Sequence, residues 1–103
     1  MLTASEPTTD IGEYRRTVTV KNTTGLHARP AASIVRIGNK YPSVDLKIAL
    51  GDEEANAKSI MGVMMLAAGN GSKPEFIATG ARSQALTLLD ELEAVFNNKF
   101  GEN

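Results

Sequence analysis

The chain has 103 residues, 42% of them hydrophobic and 22% charged, with no cysteine, a single histidine and a formal net charge of −1. That length gives room for one domain with a modest core, and none for a nucleotide-binding domain plus a substrate domain. The absence of cysteine rules out a disulfide framework and a thiolate metal centre; a lone histidine argues against a transition-metal site, and the near-neutral charge excludes a strong general pull toward nucleic acid.

Along the chain, residues 1–13 are polar, with Pro7 and several threonines, and read as a flexible N-terminal extension ahead of a domain at 14–97 and a tail at 98–103. Arg15–Lys21 reads as a first strand with Val18 and Val20 inward. Proline is tolerated only in the first turn of a helix, so Pro30, followed by Ala31, Ala32, Ile34, Val35 and Ile37, predicts a helix that starts at about Ala28. Gly38-Asn39 is its expected left-handed stop, just before Tyr41-Pro42. Val44, Leu46, Ile48 and Leu50 alternate with polar or small residues as a second strand, and Gly51-Asp52-Glu53 turns it into a short third strand ending near Ala57. A second helix capped by Ser59 follows, with Ile60, Val63, Met64 and Ala67 as its apolar stripe.

Gly69-Asn70-Gly71 then breaks the chain, and Glu75–Thr79 forms a fourth strand with Phe76 and Ala78 inward; Pro74 implies a late or irregular start to it. Ala85, Leu88, Leu89, Leu92, Val95 and Phe96 line one face of a closing helix, with Ser83 as its expected cap and Asp90, Glu91 and Glu93 on a solvated face. The order βαββαβα gives an α+β domain, a two-layer open-faced sandwich with three helices over one face of a four-stranded antiparallel sheet. No apolar run reaches transmembrane length, residues near the start lack the apolar core of a signal peptide, and Arg15-Arg16 precedes a strand pattern; a cytoplasmic address without membrane association is expected.

The chemistry concentrates at Gly25-Leu26-His27-Ala28-Arg29-Pro30-Ala31-Ala32. His27 falls at the N-cap, where the backbone N–H groups of Ala28 and Arg29 are free to cradle an anion and the helix dipole favours it. Arg29 adds a guanidinium at the same spot. A neutral imidazole offers a lone pair, and becomes a good leaving group once its other nitrogen is protonated, so the group can both accept and release phosphate. Taken alone, an isolated histidine at a helix start is more often a plain capping or surface residue. Gly69-Asn70-Gly71-Ser72-Lys73 lacks the spacing of a phosphate-binding P-loop and reads as a turn. Residues 15–58 carry eight basic and four acidic side chains, which favours acidic docking partners.

A second motif changes the balance. Asn56-Ala57-Lys58-Ser59-Ile60-Met61-Gly62-Val63-Met64-Met65-Leu66 also runs from a strand into a helix, and by itself reads as a capped helix with core methionines. Together, the two motifs make the chain, from about Arg15 to Phe96, resemble the histidine-containing phosphocarrier (HPr) family of the bacterial phosphotransferase system. The resemblance implies the strand order 1-4-2-3. It places His27 at the phosphoryl-accepting histidine, modified on Nδ1, and Arg29 at the arginine that steadies the phosphate. Ser59 falls at the serine that an ATP-dependent kinase phosphorylates for regulation in many bacteria. Ile60, Met61 and Met64, with Ala28 and Lys58 beside them, fall on the family's docking patch.

What the resemblance implies is a monomeric carrier, needing no metal or other cofactor, that turns nothing over alone. Its expected partners are enzyme I as donor, an enzyme II A-type domain as acceptor, an HPr serine kinase/phosphorylase and a transcriptional regulator. The alternative is a regulatory module of the same family, controlled by Ser59 phosphorylation, with little carrier flux. Pro74 and the sequence Ala81-Arg82-Ser83 depart from the family pattern without touching either motif. The tail after Phe96 is longer than in many members of the family, which leaves open whether a C-terminal carboxylate approaches His27.

Overall fold

A computed structural model describes residues 11–102. It contains β1 (Ile11–Thr17), α1 (Ala28–Asn39), β2 (Asp45–Leu50), β3 (Glu53–Asn56), α2 (Ile60–Met65), β4 (Glu75–Ala81) and α3 (Arg82–Asn97), then a 3-10 turn at Lys99–Gly101. All sheet pairings are antiparallel and the strand order is β1-β4-β2-β3.

Alternation in β2 sends Leu46 and Ile48 inward, where they meet Phe76 and Ala78 of β4, Ile34 of α1, Val63 of α2 and Leu88, Leu89, Leu92 and Phe96 of α3 in one buried core. Phe76 and Phe96 meet edge to face, with ring centroids 5.6 Å apart. The three helices cover one face of the sheet. On the other, Ile77 is buried although it lies outside that core, in register between Arg15 and Lys47.

The first strand begins earlier than the Arg15–Lys21 pattern predicts. Ile11, Gly12 and Glu13, expected in the flexible extension, pair with Ala81, Gly80 and Thr79; residues 1–10 of that expected extension lie outside the described residues. The strand also ends earlier, because Val18 donates to the Pro74 carbonyl at 3.0 Å and proline has no N–H to return the bond. Val18 and Val20 are nonetheless buried, as expected. The same proline delays β4, which starts at Glu75 and continues past Thr79 to Ala81.

Gly38-Asn39 is not a left-handed stop. Both residues stay helical, and the helix is closed by Lys40 in the right-handed region. Gly38 is instead a point of close packing: a Cβ there would lie 3.3 Å from Leu46 Cδ2 and 3.4 Å from Lys58 Cγ, so those side chains would have to give slightly. The expected stripe on α2 also fails, since a six-residue helix buries only Val63, and Ala67 lies beyond it at φ +53°. Nor does Ser83 cap α3. β4 runs straight into this helix, so its last residue, Ala81, holds the N-cap position without a side-chain bond.

The acidic residues of α3 lie outside the core, but each has a cationic partner. Arg16 of β1 reaches Asp90 at 3.0 Å and Glu93 at 2.7 Å. Lys40 meets Glu91 at 2.5 Å, and the Tyr41 hydroxyl donates to the same carboxylate. Those bonds, from Lys40 first and Tyr41 second, outweigh partial burial and hold the Glu91 carboxyl below its usual range. Its contribution to stability is therefore complete above the ordinary value of 4.5 and is lost as pH falls through the lowered folded value. Glu91→Gln should cost about 0.2–1 kcal/mol at pH 7. In urea melts across pH, the gap between wild type and variant should close below pH 4.5; a gap of constant size would show that ionisation of Glu91 contributes nothing.

Candidate functional site

The segment joining β1 to α1 is held from both sides. Asn22 accepts from the Gly25 amide at 3.3 Å and from Asn70 Nδ2 at 3.2 Å, while its own Nδ2 donates to the Gly25 carbonyl at 2.7 Å. Gly25 sits at φ +73°, and a Cβ on it would fall 2.6 Å from the Ala68 carbonyl oxygen. The next amide, Leu26, donates to that same oxygen at 2.9 Å, and the Leu26 side chain is buried. The start of α1 is thereby fixed against the chain leaving α2.

His27 follows as the N-cap, with extended backbone angles (φ −79°, ψ −169°) and no side-chain capping bond. Its carbonyl accepts from the Ala31 amide at 2.9 Å. Of the first three helical residues Pro30 has no N–H, which leaves the amides of Ala28 and Arg29; neither has an acceptor among the described residues. The ring beside them is 42% exposed. Arg29 makes no hydrogen bond or ion pair among the described residues, yet its charge is felt at Glu102.

Glu102 was not a sequence candidate. Its carboxylate lies 3.2 and 3.3 Å from His27 Nε2, and accepts from Asn22 Nδ2 at 3.1 Å and from Thr24 Oγ1 at 3.5 Å. Partial burial pushes the Glu102 carboxyl up, but the bonds from His27 and Asn22 and the field of His27 and Arg29 outweigh it and hold the group below its ordinary range. It therefore stays ionised, and an ionised carboxylate only accepts, so Nε2 must be the donor. Nδ1 is left without a hydrogen-bond partner among the described residues. No local signal in the sequence announces Glu102; Asn22 and Thr24 lie in the run Asn22-Thr23-Thr24-Gly25, whose composition signals only a turn.

The pattern described as "PTS HPr component phosphorylation site" matches residues 14–98. The phosphocarrier protein HPr of Treponema pallidum is 46% identical over 89 residues, covering 84% of this chain and 96% of that protein. HPr of Cupriavidus necator is 40% identical, covering 85% and 96%. Among solved structures, HPr from Bacillus anthracis superposes with a TM-score of 0.72 at 38% identity, covering 81% of this chain and 95% of the other. The chain belongs to the HPr family of phosphotransferase-system phosphocarriers. Membership implies enzyme I and enzyme II as partners. A further relative, the HPr-like protein Crh of Halalkalibacterium halodurans, is 46% identical over 67 residues and covers 65% of this chain.

Within the family fold, the sequence candidates fall into two groups. His27, Ala28 and Arg29 share the start of α1. Ser59 caps α2, accepting from the Gly62 amide at 3.1 Å. That end of α2 meets the far end of α1, since Gly38 lies against Lys58, whereas the chain leaving α2 meets the near end through Leu26 and Ala68. The two N-termini are thus not adjacent. Lys58 belongs to the far group, its amine donating to the Tyr41 carbonyl at 2.9 Å. Ile60, Met61 and Met64 are exposed along α2, and Met65, which sequence reading left out, is the most exposed of the α2 side chains at 74%. Among the described residues no helix is long and apolar enough to cross a membrane.

Gly25→Ala puts a methyl group against the Ala68 carbonyl and strains a left-handed residue, so it should destabilise the protein by more than about 1 kcal/mol. The amide resonances of Leu26 to Arg29 should move in the same variant. A melt like that of wild type, with those resonances unmoved, would show that the close approach does not position the site.

Proposed function

We propose that His27 accepts a phosphoryl group from enzyme I, itself charged from phosphoenolpyruvate, and donates it to an enzyme II A-type domain. What carries this reading is the coincidence at one helix start of an exposed imidazole with a nitrogen, two backbone amides and a guanidinium that have no partner among the described residues. The Nδ1 lone pair attacks phosphorus in line, while the amides of Ala28 and Arg29 and the Arg29 side chain hold the equatorial oxygens. Such a site contributes position and charge compensation, and needs a partner on each side to react. The exposed row of Ile60, Met61, Met64 and Met65 on α2 is where partners dock, together with Ala28 at the start of α1. Lys58, whose amine donates to the Tyr41 carbonyl, contributes from the end of the row next to Ser59.

Ser59 is the proposed regulatory site. A phosphate there adds a charge of about −1.5 to −2 next to the docking row and repels an acidic partner. Because the N-termini of α1 and α2 are not neighbours, the effect runs through partner docking and not through direct contact with His27. Likeness to Crh of Bacillus subtilis, a protein named for catabolite repression, favours a second reading, in which a regulatory switch at Ser59 is the main output.

Bond chemistry separates the two. A phosphate on a histidine nitrogen is acid-labile, since protonation improves the leaving group, and a serine ester survives acid. With phosphoenolpyruvate and enzyme I, wild-type protein should gain one acid-labile phosphate by intact mass, folded His27→Ala should gain none, and Arg29→Ala should gain it more slowly. Labelling of His27→Ala at the wild-type rate would overturn the carrier reading. An acid-stable phosphate supplied only by ATP and a kinase would establish the regulatory one. Ser59→Asp should weaken enzyme I binding at low ionic strength, and less so at high salt; equal affinity in a low-salt titration would remove the proposed switch.

A further inference from the structure

Past Asn97 the backbone enters a turn of unusual hand: Lys99, Phe100 and Gly101 have φ of +55°, +55° and +75°. Gly101 N–H closes it onto the Asn98 carbonyl at 2.9 Å, and Glu102 N–H onto that of Lys99 at 2.8 Å. Two successive non-glycine residues hold left-handed angles only where their surroundings impose them. Here the Phe100 ring packs against Phe96 of α3 with centroids 4.7 Å apart, and the turn delivers Glu102 to His27 Nε2, 75 residues away in sequence.

Asn22 completes the seat. Its side chain is fully buried and its Nδ2 serves both the Gly25 carbonyl and the Glu102 carboxylate, while its Oδ1 has no partner among the described residues. Both neighbours can only accept, so the nitrogen must face them, and the unpaired oxygen is the cost of that orientation. The residue that shapes the His27 loop thus also holds the carboxylate that touches the ring.

We propose that Glu102 is a positioning residue for phosphoryl transfer. Its carboxylate keeps the proton on Nε2 of His27, so the lone pair resides on Nδ1, and it pairs with the positive ring formed when phosphorus is bound. The inference rests on His27 being the acceptor. In the transfer the Nδ1–P bond forms from that lone pair, and the donor's bond to phosphorus breaks with its electrons leaving on the donor group. No proton moves: Nε2–H persists, and the charge that develops on the ring lies beside the carboxylate. Onward transfer reverses these events and returns a neutral ring.

The test compares the full chain with Glu102→Ala, Glu102→Gln and Phe100→Ala, the last leaving the carboxylate intact but releasing the turn that aims it. Ring nitrogen-15 shifts of His27 in the unphosphorylated protein report which nitrogen bears the proton; phosphoenolpyruvate with enzyme I reports the rate of acceptance. Wild type should show Nε2 protonated and Nδ1 bare. Glu102→Ala and Phe100→Ala should shift both nitrogens toward a tautomeric mixture and accept phosphate roughly three- to tenfold more slowly, with Glu102→Gln between them. Folded Glu102→Ala with wild-type rates would overturn the proposal whatever the ring shifts. A wild-type protein whose ring shifts respond to Glu102 but which takes no phosphoryl group would overturn the carrier reading of His27, and the proposal with it.

Discussion

The Ala68 carbonyl receives the Leu26 amide at 2.9 Å, and Gly25 stands so close to the same oxygen that no side chain fits between. This contact between the loop entering α1 and the chain leaving α2 decides where the first helix begins. It fixes His27 at the cap, ahead of the Ala28 and Arg29 amides that find no acceptor among the described residues, and joins that helix start to the chain leaving α2. Without it, the imidazole and the amides would still exist but would share no defined geometry.

A phosphocarrier has a narrower task than an enzyme. It must take a charged group from one partner and give it to another without binding it so well that the second step fails. An exposed cap whose two amides lack acceptors among the described residues would suit that balance: an anion held there would be stabilised by dipole and hydrogen bonds, yet remain open to solvent and to an incoming protein. The buried core beneath contributes rigidity. Arg16, Lys40 and Tyr41 tie α3 to the sheet edge and to the end of α1, at places away from the helix start where transfer would occur.

Local signals in the sequence were enough for much of this. Pro30 marked the start of α1, the Val44–Leu50 alternation marked β2, Ser59 marked a real cap, and two motifs were enough to reach the family. Where reading failed, the cause was non-local. The inward positions of β1 are Gly12, Tyr14 and Arg16, which give no apolar alternation, so the sequence pattern places the strand late. Gly38 resembles a helix stop because a glycine at a closely packed helical position is indistinguishable in sequence from one required for positive φ. Glu102 was invisible because its position depends on a left-handed turn built without an obligatory glycine at Lys99 and Phe100, and on a partner at the other end of the chain.

The account is tested most directly by amide spectra of the wild-type protein before and after phosphorylation by phosphoenolpyruvate and enzyme I. If the start of α1 cradles the phosphoryl group, the largest downfield amide shifts should fall on Ala28 and Arg29, with phosphorus coupled to a ring nitrogen of His27. A phosphate carried elsewhere in the chain, or carried on His27 with those two amides unmoved, would contradict it.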